Sequence, residues 1–143
     1  MKKVVTYISL MVVLGGLVAA SCGRTSSGEG RETPADTSGT AVIKFDTLDH
    51  NFGSVRPGEK VGCIFKFTNA GDADLVVTAA SASCGCTVPK FSKKPVAPGE
   101  GGTIEVIFDT SGREGLQTKT VVVQSNAENS LVILRIIAEV AKN

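Results

Sequence analysis

The chain has 143 residues, 15 of them basic and 14 acidic, with one histidine, two methionines, four cysteines and no tryptophan. A net charge of +1 argues against a nucleic-acid partner, which selects strongly basic faces. A single histidine leaves few ways to assemble an acid–base site.

In chain order, the first element is MKKVVTYISLMVVLGGLVAASCG. Lys2 and Lys3 precede an apolar run from about Ile8 to Ala20, shorter than the ~20 residues a bilayer span needs. Residues 1–21 therefore read as an export signal. Ala19, Ala20 and Ser21, directly before Cys22, resemble the lipobox of bacterial lipoproteins, with Ala19 where Leu, Val or Ile is more usual. The resemblance implies a diacylglyceryl group on Cys22 and cleavage in front of it. The alternative is an ordinary secretory signal cut near the same place. Loss of residues 1–21 takes the basic count from 15 to 13 against 14 acids, a net charge of −1.

Residues 22–40, the anchoring cysteine followed by GRTSSGEGRETPADTSGT, are rich in Gly, Ser, Thr and Pro with almost nothing to bury, so they read as a flexible linker. Only Glu29 and Glu32 lie near Cys22, too few acids for the run that directs some Bacteroidetes lipoproteins to the cell surface. The expected location is the cell envelope, membrane-anchored and facing the periplasm.

Residues 41–143 form one domain of ordinary size. Short apolar alternations broken by Gly, Pro, Asn and Asp, without a helical period, predict an all-β fold. The strands expected are Ala41–Asp46, His50–Val55, Lys60–Asn69, Asp74–Ala82, Gly102–Asp109, Gln117–Ser125 and Leu131–Ala141. About seven antiparallel strands in a hundred residues suit an immunoglobulin-like sandwich. Alternation assigns Val61, Cys63, Phe65 and Phe67 to the core, with Ile104, Val106 and Phe108, and Val132, Leu134, Ile136, Ala138 and Val140. Two apolar inner faces need no cofactor to fill the space between them.

PGEKVGCIFKFTNAG (Pro57–Gly71) echoes PGEGGTIEVIFDTSG (Pro98–Gly112) at an offset of 41, so that Cys63 falls on Ile104. Both stretches read as a Pro-Gly turn that launches a core strand ending at another glycine turn. This is shared geometry within one sandwich, and it marks Cys63 as a small core residue.

SASCGCTVPKF (Ser81–Phe91) holds the reactive side chains. No G-x-S-x-G, H-E-x-x-H or phosphate-binding glycine loop is present, and a cysteine nucleophile would need His50 brought beside Cys84 or Cys86. No catalytic residue is assigned, and no small-molecule substrate is expected. Both methionines lie in the signal, so a soft-metal site would have only cysteines and His50 to draw on. Three readings stay open: closure of Cys84 on Cys86 with a bend at Gly85, a bridge from Cys63 to either, or a two-thiolate copper(I) site made by Cys84 and Cys86. The structural reading makes SCGCT a kinked strand end that locks the loop Val88–Pro98. Lys90, Lys93 and Lys94 form a small basic cluster beside it, a candidate surface for an envelope protein partner.

NFG near Phe52, F-x-F-x-N-x-G from Phe65 to Gly71, SCGCT at Ser83–Thr87 and PGE at Pro98 together resemble the DUF1573 family. The resemblance covers Phe45 to Val140. It implies a fold similar to the ASPM, SPD-2 and Hydin domains and to major sperm protein, in small exported or lipid-anchored proteins of Bacteroidetes. Two function classes follow as expectations: a non-catalytic, membrane-anchored module that binds envelope proteins, or a thiol-redox or copper(I) protein acting through Cys84 and Cys86.

Overall fold

A computed structural model describes residues 39–142. The signal at 1–21, the anchor at Cys22 and the linker as far as residue 38 lie outside the described residues. The described chain is all-β: β1 (Ile43–Phe45), β2 (Asp49–Val55), β3 (Lys60–Asn69), β4 (Val77–Ala82), β5 (Thr87–Phe91), β6 (Gly101–Asp109), β7 (Gly115–Ser125) and β8 (Leu131–Val140). Two four-stranded sheets, ordered β1-β3-β6-β5 and β2-β8-β7-β4, face each other. Phe65, Phe108, Leu75, Ile104, Leu134 and Ile136 fill the space between them, each at most 2% exposed.

The alternation expected for β3, β6 and β8 is observed, with Ile64 and Lys66 outward between buried Cys63, Phe65 and Phe67. The strand count is eight rather than seven. The strand not expected is β5, which starts at Thr87 and takes up the first four residues of the expected loop Val88–Pro98. Pro89 hides it, because proline usually argues against a strand. It is tolerated here at a sheet edge: the Asp109 N–H donates to the Cys86 carbonyl, so alternation along the ladder turns the nitrogen of Pro89 away from β6.

β2 pairs with β8 in parallel, a departure from the antiparallel sandwich expected. Its cause is the switch between β1 and β2. Only Asp46, Thr47 and Leu48 separate them, yet β1 joins β3 in one sheet and β2 joins β8 in the other. Four edges remain, and each is blunted against strand addition. β1 has three residues, β5 carries Pro89, and the ladders of β2 and β4 shift register, between Asn51 and Ser54 and between Val77 and Ala79. In β2 the shift sits at Gly53, whose φ of 69° suits a glycine.

The repeat at offset 41 becomes a local two-fold arrangement. Arg56–Glu59 and Ala97–Glu100 are turns with proline second and a glycine of positive φ third (79° at Gly58, 80° at Gly99), each closed by an N–H of its glutamate. Each turn launches one strand of the antiparallel β3–β6 pair, and the far end of the other strand clasps it. Thr110 gives its N–H to Glu59 O and its hydroxyl to Arg56 O and Glu59 O. Asn69 gives its N–H to Glu100 O and accepts from Gly99 N–H, while its side-chain amide donates to Ala73 O and Val96 O. Both residues are fully buried. Such groups persist inside a protein only when fully hydrogen-bonded.

Candidate functional site

At the tip of the β4–β5 connection, Cys84 and Cys86 form a disulfide with their Cα atoms 5.3 Å apart. A flat strand would hold i and i+2 at ~6.6–6.8 Å, so the backbone bends between them. The bend does not require left-handed glycine geometry: Gly85 is absent from the positive-φ glycines, and a Cβ placed on it meets nothing within 4 Å. The glycine leaves the top of the turn bare.

Hydrogen bonds hold both flanks of this turn independently of the sulfurs. Ser83 N–H donates to Thr120 O, Thr120 N–H to Ser83 Oγ, Thr87 N–H to Cys84 O and Asp109 N–H to Cys86 O. Beneath the bridge lies Thr87, 4% exposed, its hydroxyl 3.7 Å from Cys84 Sγ and 3.8 Å from Cys86 Sγ.

A disulfide stabilises chiefly by closing a loop in the unfolded chain, and a three-residue loop gives only about 1.6 kcal/mol, half the value for fifteen residues. The bridge is therefore a weak staple. Replacing both cysteines by alanine is expected to lower Tm by roughly 5–10 °C with the transition still cooperative, measured by thermal circular dichroism.

Among the described residues the remaining thiol, Cys63, is buried on β3, and burial pushes its pKa up to about 11. It stays protonated at neutral pH and takes no part in the bridge. His50 lies on β2, at the sheet edge opposite β4, three strand spacings or on the order of 14 Å across. Its exposed ring meets Phe52 edge-on with centroids 4.6 Å apart and lies 6.5 Å from that of Phe65. The structure thus does not bring the histidine to the sulfurs. Among the described residues no group of three or more His, Cys, Asp or Glu side chains is arranged to hold a metal.

The basic cluster is not a single loop with SCGCT. The disulfide precedes β5 and Lys93 and Lys94 follow it, so the two lie at opposite ends of a five-residue strand. Lys90, between them, faces outward and pairs with Glu105 across the ladder at 3.7 Å.

A surface that alternation alone did not single out lies on the outer face of the other sheet. Leu131 and Ile133 on β8 are 62% and 59% exposed, and Leu48, just before β2, is 48% exposed. Half-buried Val122 sits opposite Ile133 on β7. Leu48 and Ile133 line two adjoining shallow grooves of about 240 and 580 Å³. At the rim of the smaller one Arg135 forms a two-pronged ion pair with Asp49, 2.7 and 3.0 Å, which holds the Asp49 carboxyl below the usual carboxylate range. The sequence signal was β8 itself, apolar on both faces.

Residues 43–140 match a family model described as a protein of unknown function, DUF1573. No curated protein matches the chain in sequence. Among solved structures, a protein of unknown function from Porphyromonas gingivalis W83 is similar with a TM-score of 0.62 and 15% identity, over 70% of this chain and 47% of that one. The chain thus spans about half the length of that relative. The ASH/PapD-like domain 7 of human CEP192 is similar at TM-score 0.55 and 10% identity, over 73% and 88%. The secreted serine protease VesC from Vibrio cholerae is similar at 0.53 and 16%, over 68% and 23%. At these identities the likeness is one of fold.

Proposed function

The chain belongs to the DUF1573 family, and from that premise we propose that it is a non-catalytic, immunoglobulin-like module of the cell envelope, anchored through a lipid on Cys22 and facing the periplasm, that binds a protein partner. The observation that carries the reading is the exposed apolar strip of Leu48, Leu131 and Ile133 on a sheet face whose edges are blunted. With strand addition disfavoured at every edge, a sheet face is the better docking surface, and an apolar strip beside an ion pair has the make-up of an interface core with a polar rim. The distance between His50 and the sulfurs, and the protonated state of Cys63, support a role without catalysis. Closure of Cys84 on Cys86 leaves neither sulfur as a thiolate for copper(I).

The test is a photoreactive residue at Leu131 in envelope preparations. It should give a discrete protein adduct that Ile133→Glu removes while Tm stays within about 3 °C, as expected for an exposed site. The same probe at Lys93 should give none. An adduct at Lys93 that survives Ile133→Glu would transfer the surface to the Lys90, Lys93 and Lys94 edge. No adduct at either position would overturn the binding role. Intact mass of the mature chain tests the anchor, and an unmodified Cys22 sinks it.

A further inference from the structure

Among the described residues the buried hydroxyl of Thr87 has no oxygen or nitrogen partner; its hydrogen-bonding contacts there are the two sulfurs of the bridge above it. A disulfide sulfur is a weak acceptor, so in the oxidised chain this donor is poorly used. A thiolate in the same place would accept a charge-assisted bond, the stronger kind. The loop is closed by a three-residue link, its flanks are pinned by main-chain bonds that do not need the bridge, and Gly85 leaves its top uncovered. The turn is thus able to open chemically without unfolding, and a proton donor waits for the sulfur that is released.

We propose that the Cys84–Cys86 disulfide is an exchangeable oxidant for a protein dithiol, with Thr87 as the positioning residue that holds the released thiolate. In the first step a thiolate of the dithiol attacks one sulfur, a new S–S bond forms, and the electron pair of the Cys84–Cys86 bond leaves on the other sulfur, to which Thr87 Oγ1–H donates a hydrogen bond. Thr87 is equally placed for either leaving sulfur. In the second step the other thiolate of the dithiol attacks its own neighbour in the mixed disulfide and expels the second cysteine. Two electrons pass to this chain, the dithiol becomes a disulfide, and its two protons end on Cys84 and Cys86 or in solvent. The exchange is stoichiometric, one disulfide per chain, and it stands apart from the docking face: Ile133→Glu leaves it untouched.

The experiment uses the full chain in detergent, with reduced thioredoxin as the probe dithiol and dithiothreitol as a small control. The state of the peptide holding Cys84 and Cys86 is followed by differential alkylation and mass spectrometry, which Cys22 and Cys63 do not disturb. Native protein should be reduced by thioredoxin while its circular dichroism is unchanged. Thr87→Val, which keeps the shape and removes the donor, should slow reduction by roughly tenfold and raise the pKa seen in the alkylation profile of the reduced pair by about one unit, the size of one hydrogen bond to a charge. Thr87→Ser should restore both. A purely structural Thr87 would change Tm and leave the pH profile where it was. Reduction that occurs only on unfolding, or identical profiles for wild type and Thr87→Val, would overturn the proposal. Should Thr87→Val fail to fold, the wild-type chain decides it: the thiolate of a thioredoxin that keeps only its attacking cysteine must open the Cys84–Cys86 bond and remain trapped as a mixed disulfide on the folded chain, and failure to do so refutes the exchange.

Discussion

Asn69→Leu is expected to lower stability by about 3–5 kcal/mol and Tm by some 15–25 °C, read from thermal and urea unfolding. The substitution keeps the volume and inserts an apolar side chain where the amide donates to Ala73 O at 2.8 Å and Val96 O at 2.9 Å and accepts from Gly71 N–H at 3.0 Å. Those groups belong to two connections that meet beside a core where water has no access, and each one orphaned costs about 1–3 kcal/mol. The main-chain bonds of residue 69 to Gly99 and Glu100 survive, so the loss is confined to the side chain. Thr110→Val, at the corresponding place just after β6, removes a single hydroxyl shared by two carbonyls. Its effect should be about 1–2 kcal/mol. An equal loss for both would show that the asparagine amide does not bridge its two connections.

The second large effect is at Gly102, opposite Phe67 in the β3–β6 register. A Cβ at that position would overlap the tip of the ring, against Cζ and within 2.9 Å of Cε1 and Cε2. Phe67 is 4% exposed and its ring lies against that of Phe45, centroids 5.4 Å apart, so it cannot swing clear without disturbing β1. Gly102→Ala should therefore cost about 2–3 kcal/mol, at the upper end of overpacking. Phe67→Leu opens space at its own cost from the lost aromatic contact. Joined in one chain the two changes should cost at least 1 kcal/mol less than their sum, a coupling that a double-mutant cycle measures. Additive losses would mean that the ring does not occupy the space over Gly102.

Much of the sandwich is legible from alternation, because the period of two that sorts Phe65 from Ile64 also sorts core from solvent. β5 was hidden by Pro89, whose place at an edge depends on β6, a partner further along the chain. The parallel pairing of β2 with β8 escaped for the same reason: Asp49 meets Arg135 across 86 residues, and no local pattern encodes that meeting. At the cysteines, the spacing left three pairings open, and only the bend between residues 84 and 86 joins them to each other. Gly85 was expected to make the bend feasible; the geometry uses it to leave the turn uncovered. Thr87 carried no signal in the sequence, since a buried hydroxyl facing two sulfurs looks like any other threonine in a strand.

The crossed clasps at Asn69 and Thr110 set a condition on how the chain can mature. A Pro-Gly turn is a local object, ready as soon as its four residues exist, but the carbonyls of Arg56 and Glu59 take their side-chain donor from Thr110, 54 and 51 residues downstream. Whether the polypeptide emerges from a ribosome or from an export channel, the first turn stays incomplete until the end of β6 has followed it out. A chain held back at residue 100 has its first turn unclasped, and the clasp closes only with Thr110, while β7 and β8 still follow.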